Sequence, residues 1–173
     1  MGDAAALPLA DRTYDVVLCQ MGLMFMEDRR SALAEMHRTL VPGGRIGVNT
    51  PGTIQPVFEA MDRGLVEHIS PDLGGFVRAV FSLHDPDMLA APLGDAGFQD
   101  ISATASTTTL HLPPPAEFLW QYINLTPMAL LVAKAPEDAR SALEQQFVEA
   151  CRPFVVDGGM VADQPVVLAS AHR

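Results

Sequence analysis

The chain has 173 residues, of which 49% are hydrophobic and 18% are charged, and this composition excludes a disordered protein. It carries 11 basic and 21 acidic residues, a formal net charge of −10, with no basic cluster. The charge excludes the classes of protein that bind nucleic acid or an anionic membrane surface, because both need cations against phosphate.

Two cysteines and the absence of a long apolar run indicate the compartment. Cys19 and Cys151 lie far apart and have no motif spacing, so we expect two reduced thiols in a cytoplasmic protein. The longest apolar run, residues 128–133, is too short to span a bilayer. We therefore expect no membrane association.

The first third of the chain predicts a strand, a helix and a second strand. Tyr14–Gln20 is short, continuous and β-branched, as expected of a strand buried on both faces. A helix is predicted from an N-cap at Asp28 to about Val41, where Pro42-Gly43-Gly44 would end it. Residues 45–49 predict the next strand. This order predicts a βαβ unit with two parallel strands.

The remaining sequence predicts further helices and strands. Predicted helices cover 54–69 and 86–96, one follows Pro113-Pro114-Pro115, and another covers 136–151; strands are predicted at 98–109 and 165–171, and a loop at 70–75. No repeat, low-complexity tract or linker divides the sequence. The sequence therefore predicts a single domain over residues 1–173.

Four short motifs near the start carry a resemblance to a known family. They are Gly2-Asp3-Ala4, Leu7-Pro8-Leu9-Ala10-Asp11, Tyr14-Asp15-Val16-Val17 and Arg38-Thr39-Leu40-Val41-Pro42-Gly43-Gly44-Arg45. Their order and spacing resemble the class I S-adenosylmethionine-dependent methyltransferases, particularly the ubiquinone and menaquinone methyltransferase branch. Ala96-Gly97-Phe98 and Asp157-Gly158-Gly159 resemble later parts of the same family more loosely.

The resemblance implies an α/β fold, a partial doubly wound Rossmann-like sheet. In the family's strand order 3-2-1-4-5-7-6, this sequence would supply strands 4, 5, 7 and 6. We expect it to begin after the family's glycine-rich cofactor loop, which makes it a truncated methyltransferase with half of the cofactor site. Residues 53–96 and 113–152 fall where the family builds helical lids over the substrate.

The resemblance also implies a set of cofactor-binding residues. In the family the acidic residue of the first motif lies at the adenine edge of S-adenosylmethionine, a role that falls to Asp3 with the Ala4 amide. The loop after the first strand, Cys19, Gln20 and Met21, corresponds to the loop beside the methionine part. The alternatives are that Asp3 is a surface residue and that Gln20 and Met21 only cap a strand.

Neither the sequence nor the resemblance identifies a catalytic residue. The five histidines have no metal-ligand spacing, so we expect no metal site. His84, with Asp85 and Asp87 nearby, has the composition of a general base, but a helix-capping loop before Pro86 is the favoured interpretation. The methionines and the aromatic residues around Trp120 are better explained by core packing than by a substrate pocket.

Two functions from different classes remain open at this stage. The first is methyl transfer from S-adenosylmethionine to a small organic acceptor, incomplete in this chain alone. The second is an inactive methyltransferase-like protein that acts by association. The missing neighbour of Tyr14–Gln20 predicts an exposed sheet edge, at which we expect a homodimer or a partner strand.

Overall fold

The computed structural model describes residues 2–173 as an alternation of helices and strands. The helices are α1 Arg29–Thr39, α2 Pro56–His68, α3 Gly74–Val80, α4 Pro86–Asp95, α5 Pro115–Asn124, α6 Ala129–Val132 and α7 Glu137–Cys151. The strands are β1 Tyr14–Gln20, β2 Leu40–Pro51, β3 Gln99–Leu112, β4 Val155–Val156 and β5 Gly159–His172. The predicted loop at 70–75 is wrong, because Pro71–Leu73 forms a 3-10 turn and Gly74 begins α3.

The strands form one mixed sheet in the order β1-β2-β5-β3, with β4 paired to β5. β1 and β2 are parallel, and Val16–Gln20 lies opposite Arg45–Asn49, residue for residue. β5 runs antiparallel to β2, from the pair Arg45 and His172 to the pair Pro51 and Val166. In the family's numbering this is the order 4-5-7-6, so the predicted α/β sheet is confirmed.

The first strand, helix and second strand form the predicted βαβ unit. Asp28 caps α1 as predicted, because its side chain accepts a hydrogen bond from the Ser31 amide at 2.9 Å. The prediction that β1 is buried on both faces is wrong. Cys19 points into the core, but Val16 and Leu18 on the other face are 48% and 76% exposed. A short apolar run shows that a strand is buried on one face and cannot show that a second layer covers the other.

The Pro42-Gly43-Gly44 segment lies within β2 instead of between a helix and a strand. α1 ends at Thr39, and Leu40 already pairs with Tyr14. The next paired residue on β2 is Arg45, opposite Val16, so the proline and glycines form a bulge in the ladder. Gly43 has a φ of 77°, which an L-residue rarely adopts.

The chain divides into two compact units, each with a core of its own. The first contains residues 2–53, Val80–Thr107 and Pro165–Arg173, and the second contains Ile54–Ala79 and Thr108–Gln164. In the first, side chains of α1 and α4 pack on one sheet face; in the second, α2, α5 and α7 pack together around Leu143 and Phe147. Among the described helices, none is long and apolar enough to cross a membrane.

Candidate functional site

The carboxyl ends of β1 and β2 meet at one edge of the sheet, where Gln20 and Asn49 are register partners. Met21 follows with a φ of 47°, a left-handed conformation that is costly for a side chain of this size. Its N–H lies 3.0 Å from Asn49 Oδ1 and 3.1 Å from the Asn49 carbonyl oxygen. Asn49 therefore holds the chain in its sharp turn out of β1, at the edge where open α/β sheets bind ligands.

The Cys19 side chain shapes the same turn from the core side. It is 7% exposed, and the backbone N–H groups of Leu23 and Gly22 donate to its sulfur. Burial nevertheless raises the pKa of the thiol, because desolvation outweighs those two hydrogen bonds. Cys19 is therefore a protonated core residue near neutral pH, whereas Gln20 and Met21, which follow it, are both exposed.

Asp3 and Ala4 lie in a tight turn that precedes β1. Asp3 Oδ1 accepts a hydrogen bond from the Ala5 N–H at 2.9 Å, and the Asp3 carbonyl accepts one from the Ala6 N–H at 3.1 Å. The Asp3 side chain is exposed. The turn thus presents a carboxylate whose other oxygen is available to a donor such as an exocyclic amine.

A shallow groove crosses the sheet face opposite α1 and α4. Its volume is about 420 Å³, and it is lined by Leu18, Cys19, Gln20, Gly47, Val48, Asn49, Ser102, Thr104, Leu168, Ala169 and Ser170. Side chains alternate across a strand, so the residues next to Cys19, Val48 and Ala169 project away from the core. Leu18 and Leu168 give the groove an apolar floor, while Gln20 and Asn49 close its end at the candidate site.

The segment containing His84 has the structure of a helix cap. The Asp85 side chain accepts a hydrogen bond from the Asp87 N–H at 2.9 Å and caps α4. His84 Nδ1 lies 2.9 Å from the Phe81 carbonyl oxygen. Both contacts belong to the turn before α4, as the favoured sequence interpretation expects. Within residues 2–173, no group of His, Cys, Asp and Glu side chains is arranged to hold a metal ion.

Sequence reasoning missed two features around these residues. Asn49 was predicted only as the end of a strand, although a polar residue closing an apolar strand at the carboxyl edge is a recognisable signal. Glu35 and Arg38 were also missed as a pair; they bind the segment between the Asp3 turn and β1. A spacing of three places two residues side by side on a helix, but it does not indicate which other groups they bind.

Comparisons with known proteins identify relatives in the family that the first motifs resemble. Residues 1–48 match the family described as "Methyltransferase domain". Demethylmenaquinone methyltransferase of Deinococcus radiodurans is 32% identical over 110 residues, which are 57% of this chain and 46% of the relative. The ubiquinone/menaquinone biosynthesis C-methyltransferase UbiE of Escherichia coli O139:H28 is 32% identical over 125 residues, 63% of this chain and 49% of the relative.

A solved structure shows the same fold. The crystal structure of a candidate methyltransferase from Bacillus halodurans superposes on 99% of this chain and 69% of its own, with a TM-score of 0.55 and 16% identity. The sheet order, the family match and the relatives are all similar to those of class I S-adenosylmethionine-dependent methyltransferases. Within that class the chain is similar to the ubiquinone and menaquinone enzymes, and it spans about half the length of the curated relatives it matches.

Proposed function

We propose that this chain supplies part of an enzyme that transfers a methyl group from S-adenosylmethionine to a small organic acceptor. The observation that carries the proposal is the parallel β1-α1-β2 unit, which lies within the methyltransferase-domain match except for the last residues of β2. Its carboxyl edge is formed by Gln20, Met21 and Asn49, at the place where such sheets bind ligands. The negative charge of the chain suits a neutral or cationic acceptor.

The residues present fit one side of the cofactor. The Asp3 carboxylate and the Ala4 N–H offer an acceptor and a donor to the adenine edge. Gln20 and Met21 would contact the methionine part through exposed groups, and Cys19 would act by fixing their turn. S-adenosylmethionine supplies an electrophilic methyl carbon, and the residues here bind and orient it. Such transfer depends mainly on positioning, so a dedicated base is not required.

We further propose that the second unit provides the acceptor side of the enzyme. The sequence-based lid assignment covered 53–96 and 113–152, but Leu89 and Leu93 of α4 pack in the core of the first unit. The lid role is therefore proposed for α2, α3, α5, α6 and α7. Their core contains Phe118 and Phe147, with Phe58, Trp120 and Tyr122 packed against it, so these aromatic residues first serve packing.

Calorimetry with S-adenosylhomocysteine tests the proposal on the chain itself. We expect measurable binding, and we expect Asp3→Asn to weaken it about fivefold because a neutral amide is a poorer acceptor than a carboxylate. Asp95→Asn removes an equal charge from an exposed position on α4 and should bind like the wild type. A wild-type chain that binds no S-adenosylhomocysteine at millimolar concentration would overturn the enzyme proposal for this chain.

A second candidate function rests on the exposed face and edge of β1. Among the described strands, β1 pairs with β2 alone, and Leu18 on its open face is 76% exposed. Unpaired backbone groups beside apolar side chains are a template for strand addition. On this reading the chain is an inactive methyltransferase-like protein that pairs along Tyr14–Gln20, with a second copy or with a partner strand.

Light scattering with two matched variants separates this candidate from the first. Leu18→Lys places a charge on the β1 face, and we expect it to shift an associated species toward the monomer. Leu125→Lys makes the same change at a residue that is 87% exposed in the second unit, and it should not alter the mass. A wild-type monomer at high concentration would exclude self-pairing along β1.

A further inference from the structure

Arg38 of α1 uses every hydrogen-bond donor of its guanidinium group. Nε and Nη2 donate to the two oxygens of Glu35 at 2.7 and 2.8 Å. The remaining N–H groups donate to the carbonyl oxygens of Leu7 and Leu9, at 3.1 and 2.8 Å, and to the Asp11 carboxylate. A guanidinium has five N–H donors, so this arrangement leaves none unused. A lysine, with three donors on one nitrogen, could not reproduce it.

Glu35 completes the arrangement from the same helix. Its Oε2 accepts a hydrogen bond from the Leu7 N–H at 2.8 Å, in addition to the bond from Arg38. The Leu7 backbone is therefore held at both its N–H and its carbonyl group. The side chains of Arg38 and Glu35 are only 29% and 21% exposed. Hydrogen bonds from Arg38 lower the pKa of Glu35, so the carboxylate stays ionised across the neutral range.

These contacts anchor the segment that connects the Asp3 turn to β1. At its start, Leu7 follows directly on Ala6, whose N–H closes the turn on Asp3. At its end, the Arg12 N–H donates to the Arg38 carbonyl at 3.0 Å and the Thr13 N–H donates to the Thr39 carbonyl at 2.8 Å. Both ends of the segment are thus fixed to α1, the helix that crosses from β1 to β2.

We propose that Glu35 and Arg38 are positioning residues that set the conformation and place of the Asp3–Ala6 turn. The turn has two internal hydrogen bonds and an exposed carboxylate, which are too few contacts to fix it without the attachment at Leu7. The pair acts through the backbone and does not itself touch a ligand. The link to cofactor binding rests on the proposed function, while the effect on the turn does not.

Hydrogen exchange on the full chain tests the positioning role directly. We expect Arg38→Ala to speed exchange at the Ala5, Ala6 and Leu7 amides at least tenfold, with exchange in β2 unchanged. The exchange rates in Arg38→Lys should lie between those of the wild type and Arg38→Ala, because lysine keeps the positive charge but loses the planar, forked donor group of arginine. If Arg38→Ala fails to fold, Asp11→Ala removes one arm of the arrangement at a residue whose side chain is 68% exposed. Arg30→Ala removes a cation from an exposed position on the same helix and is the control.

Calorimetry with adenosine and S-adenosylhomocysteine then tests the link to binding. If the turn holds the adenine edge, the affinities for both ligands should fall by the same factor, about tenfold, in the variants with fast exchange. Unchanged exchange in Arg38→Ala would overturn the proposal. Fast exchange with unchanged affinity would overturn the link to binding and leave the pair a purely structural one. A wild type that binds neither ligand would refute the proposed function, while the exchange rates still decide the positioning role.

Discussion

At the scale of single residues, the candidate site depends on side chains that support a backbone conformation. Met21 is left-handed, and Asn49 holds its N–H with both a side-chain and a main-chain oxygen. Non-glycine residues in this conformation cluster at ligand-binding sites, where the surrounding structure offsets their strain. The sharp turn after β1 therefore depends on Met21 and Asn49 together and not on the β1 sequence alone.

Replacing Asn49 separates the side-chain contribution from that of the backbone. Asn49→Ala should lower the free energy of unfolding by about 1 kcal/mol, because the Met21 N–H keeps only the longer bond to the carbonyl oxygen. Asn49→Asp preserves an Oδ1 acceptor and should remain close to the wild type. Urea denaturation measures both values, and equal losses in the two variants would show that the hydrogen bond to Oδ1 contributes nothing.

The buried thiol of Cys151 should make the free energy of unfolding fall with pH in the alkaline range. Burial raises the pKa of its thiol to about 11 from a value of 9.0 in the unfolded chain. The folded state thus holds the thiol proton more tightly than the unfolded chain does. The stability that the protonated thiol contributes is complete below pH 9 and is lost as the pH rises from 9 to 11. The loss should reach at most about 2–3 kcal/mol. In Cys151→Ala the pH dependence of unfolding over this window should be smaller by that amount; an identical dependence would contradict the assignment.

At the scale of elements, the Pro42-Gly43-Gly44 motif lies within a strand, β2, and not in the loop where the sequence predicted it. Pro42-Gly43-Gly44 was predicted as the turn between a helix and a strand. In the structure Leu40 has already joined the ladder, and the motif bulges between two paired residues. Gly44 is buried there, and a Cβ atom on it would lie 2.9 Å from the Val41 carbonyl oxygen and 3.2 Å from that of Asp15.

The two glycines of this bulge should differ in their tolerance of a methyl group. Gly44→Ala forces backbone atoms of two strands apart, so we expect a loss of about 2–3 kcal/mol in the free energy of unfolding. In Gly43→Ala the new Cβ atom has no neighbour within 4 Å, so the only cost is the strain of a positive φ, about 1 kcal/mol. Thermal or urea unfolding of both variants checks the order, and a larger loss for Gly43→Ala would show that steric crowding at Gly44 is relieved by local movement.

Local signals in the sequence were sufficient for most of the sheet. β1 and the N-cap of α1 follow from an apolar run and a capping residue, and the order of the four long strands follows from the resemblance. The exposed face of β1 could not be predicted, because burial depends on a second layer that the strand itself does not encode. The helix beginning at Gly74 was missed because two adjacent glycines locally favour a loop. The contacts of Arg38 with Leu7, Leu9 and Asp11 were missed because they join residues 27 to 31 positions apart.

At the scale of the whole molecule, all the proposed cofactor residues lie in one of the two compact units. Asp3, Ala4, Cys19, Gln20 and Met21 all belong to the first unit, as do Glu35 and Arg38. The second unit has a separate core of buried side chains, with Phe147 fully buried at its centre. If the proposed cofactor site lies wholly in the first unit, stability and cofactor affinity should be separable by mutations in the second.

Phe147→Leu tests that separation. Loss of ring volume from a closed core should lower the free energy of unfolding by about 1–3 kcal/mol, measured by urea denaturation. The affinity for S-adenosylhomocysteine at 25 °C should stay within twofold of the wild type, because the folded protein keeps every proposed contact. Leu33→Ala removes side-chain volume from the first core, on the buried face of α1, and provides the comparison for a change on the cofactor side. Its cavity should be the larger of the two, so the affinities are compared between folded proteins only. A tenfold loss of affinity in folded Phe147→Leu would mean that the second unit contributes to the cofactor site, and the residues proposed here would then be only part of it.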